Sequence, residues 1–332
     1  MQQKGSSVER KSVGVWFRHQ VERLRASPIP TSSQPRHRVA VVTDSAAALP
    51  PDWVAIHETT GQLAVVPMPV IIGEGVHSDG DVGLEAHISL ALASGSGVRT
   101  SRPSPGQFAA AYQAAFDAGF DSVVSIHISA NLSGTHDAAQ LAADCAPLPV
   151  LVFDTRTVGM AQGAGVEAAV CAAASGLAMD GVLAAALAAV EATKVFFYVP
   201  SLEQLRRGGR ISLASSWLGT VFAVKPILGI RDGSVVPLEK IRGVEKALAR
   251  LEALAVKEIL GRGADLVMVN LHHFGNEQQA QTMAEALTVR CPGLPAPVLT
   301  RLPAVLAAHA GLGVVVVVVS DRDCPPQGGG KD

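Results

Sequence analysis

Residues 122–139 read "SVVSIHISANLSGTHDAA". Apolar residues alternate up to Ile128, a short polar loop follows, and the loop opens an alanine-rich helical stretch. Strand, tight turn and helix in that order make the first half of a βαβ unit, and the turn lies at the carboxyl end of the strand, where open α/β sheets place ligands. The first turn of a helix leaves backbone N–H groups unpaired, and the helix dipole adds partial positive charge there. Ser133, Gly134 and Thr135 add two hydroxyls and a glycine that permits close approach. Two readings fit: an oxyanion site on the helix terminus, or a Ser133 or Thr135 that simply caps the helix.

The same alternation extends to both sides. "RVAVVTDS" (38–45) and "PVLVFDT" (149–155) read as buried strands, and "PVII" (69–72) as a further one. "SPGQFAAAYQAAFDAG" (104–119) carries a full helix signature: Ser104 as N-cap, Pro105 at N1, Gln107 to close a capping box, and Gly119 at the end. Helices are expected over 160–174 and 180–192. Continuous apolar strands alternating with helices imply a parallel sheet covered on both faces, a three-layer α/β/α domain over residues 38–192.

Beyond it the texture changes. "VFFYVP" (195–200) is a strand, and "KPILGIRDGSVVPLEKIRG" (225–243) a hairpin turning on Asp232-Gly233. A long helix (243–260), strand 266–273, helix 276–290, and strands 297–302 and 314–320 follow. A hairpin among helices points to a smaller α+β domain with a mixed sheet over 193–320, with 321–332 a disordered tail. Residues 1–37 form a basic extension, with seven Lys/Arg against two Glu. Val13, Trp16, Phe17, Val21 and Leu24 fall at helical spacing, so residues 12–25 read either as an amphipathic helix in transient contact with a membrane surface or as a flexible lead-in to the linker 27–35.

The 332 residues are 48% apolar but only 4% aromatic, so alanine and valine fill the interior. The net charge of −2 gives no basic footprint for nucleic acid. The four cysteines include no CxxC pair, and with no membrane-length apolar run and no signal peptide this reads as a cytoplasmic chain. No metal or cofactor motif survives scrutiny. Walker A and a nucleophile elbow are absent. The formal GxGxxA at Gly163–Ala168 starts too far beyond its strand to bind a dinucleotide. His272 and His273 are adjacent on a strand and point to opposite faces. Asp44 and Asp154 at strand ends read as a carboxylate pair or as loop caps.

Two further stretches share the character of the opening one. "VRTSRPSP" (98–105) sets Thr100 and Ser101 ahead of a capped helix, and "AVLAAHAGLG" (304–313) sets His309 before two glycines. Two readings fit: the three loops converge on one small anion, or the one is a plain loop before its capped helix and the other holds a structural histidine. "RRGGRIS" (206–212) reads as an anion or acidic-partner contact, or as a solvated turn.

Taken together, these stretches resemble the motifs of the DegV family, in the family's order. "VVTDSAAALP" (41–50) resembles its TDS motif, "RTSRPSPGQF" (99–108) its TSQPSP, and "SIHISANLSGTHDAA" its LSGT. "VFDT" (152–155), "LEQLRRGGRIS" (202–212), "VKPIL" (224–228) with Asp232-Gly233 and Arg242-Gly243, and "AAHAGLG" (307–313) complete the series, which runs from about Val39 to Ser320. The resemblance implies a two-domain fold that holds a long-chain fatty acid between its lobes and has no catalysis of its own. It implies carboxylate contacts from Thr100, Ser101, Ser133, Gly134 and His309. It also implies a partner fatty acid kinase, docked through Arg210, that phosphorylates the bound acid to acyl-phosphate for phospholipid metabolism; no cofactor is expected. Arg102 stands where the family has glutamine, His136 where it has tyrosine, and Ala310 and Leu312 where it has threonine and proline. A rival reading makes the chain a hydrolase or acyltransferase with Ser133 as nucleophile and His309 as base. Another makes it a small-anion or nucleotide sensor.

Overall fold

The computed structural model describes residues 37–211 and 224–322. The amphipathic segment, the linker and all but the first two residues of the tail lie outside the described residues.

The first sheet is built from β1 (Val39–Asp44), β2 (Leu63–Val66), β6 (Ser122–His127) and β7 (Val150–Asp154). Their order is β2-β1-β6-β7, and every pair is parallel. Side chains alternate across β1, and both faces are covered. Val39 and Val41 join a core with Val166 and Ala169 of α5 (Met160–Ala174) and Val182 and Ala186 of α6 (Met179–Glu191). Ala40 and Val42 join Phe108 and Tyr112 of α3 (Pro105–Asp117) and Ala138 and Ala142 of α4 (Thr135–Ala143). A strand buried on two sides cannot alternate polar with apolar, hence "VAVV". The capping box of α3 forms as expected, with the Ser104 and Gln107 side chains each accepting from the other's backbone N–H. Gly163 and Gly165 lie inside α5. A Cβ would stand 2.6 Å from the Ala47 carbonyl at the first and 2.7 Å from Val190 at the second, so these glycines serve helix packing.

"PVII" is a strand, but of another sheet. It is β3 (Pro69–Ile72), central in an antiparallel sheet β4-β3-β5 with β4 (Gly75–Ser78) and β5 (Val98–Thr100). Thr100, expected on a loop, therefore ends a strand. With α1 (Pro51–Thr59) and α2 (Leu84–Ala93), this layer was not separately legible in the sequence.

The third sheet has six strands in the order β10-β9-β8-β13-β11-β12. They are β8 (Lys194–Tyr198), β9 (Val224–Arg231), β10 (Ser234–Arg242), β11 (Val267–Phe274), β12 (Val298–Arg301) and β13 (Val314–Asp321). All pairs are antiparallel except β11–β12, so the sheet is mixed. The hairpin turns on Asp232 (φ 49°) and Gly233 (φ 78°), two successive left-handed residues, as a two-residue turn that matches strand twist requires. The six-valine run of β13 divides by parity. Val315, Val317 and Val319 pack with α8 (Val244–Arg262) and α9 (Glu277–Arg290). Val314, Val316 and Val318 face the other way, into a cluster shared with Met68, Ile128 and Leu132 of the first half.

"AVLAAHA", expected as a loop, is helix α10 (Ala304–Ala310). It follows Pro303, and its first N–H is capped by the carboxylate of Asp79 at 2.9 Å, a partner 225 residues away.

Candidate functional site

Over one face of the third sheet, closed by loops that follow the strands of the first and by the end of β5, lies a cavity. Its walls are apolar from both sides: Met68, Ile128, Leu132 and Val158 from the first half, and Val195, Phe197, Leu205, Ile230, Val305, Val314 and Val316 from the second. The polar side chains on its lining are Thr100, Ser101, Ser133, Arg210, His272 and His309. Of the residues expected at an oxyanion site, four therefore meet at one cavity, with Arg210 beside them. Gly134 does not line it. A Cβ there would lie 2.9 Å from Nη1 of Arg102, whose guanidinium lies over Gly134 with Nη1 3.4 Å from its carbonyl oxygen. The glycine leaves room for that arginine.

Thr100 and His309, 209 residues apart, share a hydrogen bond of 2.7 Å between Oγ1 and Nε2. Burial, reinforced by the cation of Arg210, pushes the His309 pKa down to about 4, so the ring is neutral near pH 7. With its proton on Nε2, the ring donates to Thr100, and the Thr100 hydroxyl is left to donate to an incoming oxygen anion. His309 is seated against Gly208, where a Cβ would come within 2.3 Å of Nδ1.

Ser133 and Thr135 are not caps. The N-cap of α4 is Gly134, and no side chain caps this helix. The two hydroxyls bond each other at 2.8 Å, Thr135 fully buried and Ser133 at the cavity wall. If Thr135 donates, the Ser133 proton is free to face the cavity. Arg210 follows the short helix α7 (Glu203–Arg207), and the chain there turns on Gly208 and Gly209. Its Nε donates to the Leu132 carbonyl at 3.0 Å and its Nη1 to the Gly208 carbonyl. Its charge is thus held half-buried at the cavity rather than on an open turn.

The second half also grips the loop before α4 through its hairpin. Ser129 Oγ donates to the Gly233 carbonyl at 2.7 Å, Asn131 Nδ2 to the Asp232 carbonyl at 2.9 Å, and Arg156 pairs with the Asp232 carboxylate at 3.3 Å. The "DG" turn is therefore both a hairpin signal and a clasp on the candidate site.

A polar chain that sequence reasoning missed runs through the first half. Asp44 Oδ2 meets His127 Nδ1 at 2.9 Å, His127 Nε2 meets Ser125 Oγ at 2.7 Å, and Ser125 Oγ meets Tyr112 Oη at 2.9 Å. Asp44 also accepts from the backbone N–H groups of Ala46 and Ile128. The order Asp–His–Ser resembles a hydrolase triad, yet all four side chains are sealed from solvent and none lines the cavity. It is a strut that fixes the ends of β1 and β6. The signal available was Ser125 and His127 at i and i+2, on one face of a strand beside Asp44. Burial raises the Tyr112 pKa to about 12, so it stays a hydrogen-bond donor.

Among the described residues no helix is long and apolar enough to cross a membrane, and no group of three metal-ligating side chains occurs. Comparison with known proteins then places the chain. A DegV domain-containing protein of Streptomyces coelicolor is 41% identical over 287 residues, 86% of this chain and 99% of that protein. One from Mycobacterium bovis is 37% identical over 292 residues, 87% and 99% of the respective chains. Among solved structures, a fatty-acid-binding DegV family protein of Thermus thermophilus superposes with a TM-score of 0.77 at 30% identity, covering 86% of this chain and 99% of that one. The fatty-acid-binding DegV of Bacillus subtilis gives 0.76 at 27% identity, covering 86% and 100%. The family model described as "Uncharacterised protein, DegV family" matches residues 38–322, and the chain belongs to that family.

Proposed function

We propose that this protein is a fatty-acid carrier: a long acyl chain lies in the apolar cavity between the two halves, and its carboxylate meets Thr100, Ser101, Ser133, His309 and the charge of Arg210. The observation that carries this reading is the junction of Thr100 with His309. It puts a hydroxyl donor, a neutral imidazole and a nearby guanidinium together on the lining of a greasy cleft. A carboxylate needs donors, and an alkyl chain needs only burial, which contributes about 0.8 kcal/mol per CH₂. The fatty-acid-binding relatives from Thermus and Bacillus support the same ligand class.

We further propose that the bound carboxylate is handed to a partner fatty acid kinase. The carboxylate oxygen would attack the γ-phosphoryl group of ATP held by the kinase, giving acyl-phosphate and ADP, while this chain binds and orients the acyl group. Arg210, reaching from the Gly208-Gly209 turn to the loop of α4, is where kinase docking and the acyl site would be coupled.

The hydrolase reading has weaker support. Ser133 is bonded to Thr135 and His309 to Thr100, rather than to each other. The carrier reading is tested by mass spectrometry of the organic extract of purified protein, with melting curves after addition of long-chain acids. A co-purified fatty acid and a raised melting temperature are expected. An empty extract with no thermal shift would sink the proposal.

A further inference from the structure

The cavity lining carries a further polar side chain outside the Thr100–His309 pair. His272 lies on β11, paired with Val316 of β13 on one side and Thr300 of β12 on the other. Val316 is in turn paired with Phe197 of β8. His272, Val316 and Phe197 all line the cavity, so the histidine belongs to its apolar sheet wall. The side chain is completely buried. Nδ1 is satisfied by Thr300 Oγ1 at 2.7 Å, but Nε2, equally buried, has no partner. Burial and the neighbouring His273 hold its pKa down at about 4, so the ring is neutral. Whichever way the Thr300 hydrogen bond runs, Nε2 is left as an unmet N–H donor or an unmet lone pair.

An apolar residue would fill this wall without that penalty, and an unsubstituted alkyl chain passing His272 cannot relieve it. An oxygen on the chain can. A hydroxyl accepts from Nε2–H or donates to its lone pair, and an oxo group accepts from Nε2–H. We propose that His272 Nε2 is a specificity-determining contact for an oxygenated acyl chain, a hydroxy- or oxo-fatty acid whose substituent lies part way along the chain. This rests on the carrier reading above and adds the class of acyl chain it selects. A site with a buried polar group discriminates against ligands that leave it unpaired far more sharply than an apolar wall discriminates by shape.

The test uses the full chain, stripped of lipid, with displacement of a fluorescent fatty acid by octadecanoic acid and by a positional series of hydroxy- and oxo-octadecanoic acids. At least one isomer is expected to bind about tenfold tighter than octadecanoic acid or better, with its neighbours in the series weaker. In His272→Val and His272→Met that advantage should vanish, the preferred isomer binding no tighter than octadecanoic acid in the same variant. Melting curves identify which variant is folded, and the wild-type series alone decides whether any oxygenated chain is preferred. If octadecanoic acid binds and no isomer gains, or if the gain survives in a folded variant, the inference is overturned and the carrier reading stands. If none of the acids binds, both fall together.

Discussion

Gly208 shows how closely the candidate site is fitted. With His309 Nδ1 2.3 Å from where a Cβ would be, Gly208→Ala must push the imidazole off Thr100. The variant is expected to remain folded while fatty-acid affinity falls by tenfold or more, read by displacement titration alongside a melting curve. Ser133→Ala should weaken the same binding by roughly 1–3 kcal/mol if its hydroxyl donates to the carboxylate. An unchanged affinity would transfer that role to backbone N–H groups of α4. The two buried histidines predict an acid sensitivity. His309 and His272 are each held at about 4, below the ordinary 6.5, so the unfolded chain takes up protons first. Stability is therefore full above about pH 6.5 and falls as the pH drops towards 4, by about 3 kcal/mol at most for each ring. Urea midpoints at pH 7 and pH 4.5 measure this, and His309→Gln should flatten the profile.

Elements with local punctuation were legible in the sequence, and elements held by distant partners were not. The Ser104–Gln107 box, the Asp232-Gly233 turn and the valine run each announce their structure within a few residues, and each forms where expected. Helix α10 was missed because its cap is Asp79, and strand β5 because its only partner in the sheet is β3. Site residues followed the same rule: the motifs named Thr100, Ser133 and His309, but the sealed Asp44–His127–Ser125 chain crosses from β1 to β6 and left only a weak periodic trace. The hairpin turn gives the element-scale prediction. At Gly233 a side chain meets both a left-handed φ of 78° and Ser129 Oγ at 2.5 Å. Gly233→Ala is expected to cost more than the ~1 kcal/mol that unfavourable backbone alone exacts, since it also breaks the clasp on the loop before α4. Chemical denaturation measures the cost, and Ser104→Ala, losing about 1 kcal/mol at an isolated cap, is its control.

At the scale of the whole molecule, the two halves meet through the largest apolar cluster among the described residues, which also supplies walls of the cavity. On the carrier reading, binding and cohesion of the two halves are thus one property. A ligand touching Thr100 on one side and His309 on the other should raise the melting temperature of the whole molecule in a single transition rather than that of one half. On the proposed carrier and kinase-docking reading, Arg210→Ala should both weaken fatty-acid binding and lower phosphorylation by a fatty acid kinase. A kinase reaction left at its full rate would remove Arg210 from the docking role. The placement of β13 carries a further consequence. It is the last strand of the described chain, yet it is inserted between β8 and β11, in the middle of its sheet. As the polypeptide leaves the ribosome, those two neighbours must wait with their edges unpaired until residue 321 emerges. Nascent chains therefore lack the β13 wall of the cavity, and on the carrier reading lipid loading is confined to finished molecules.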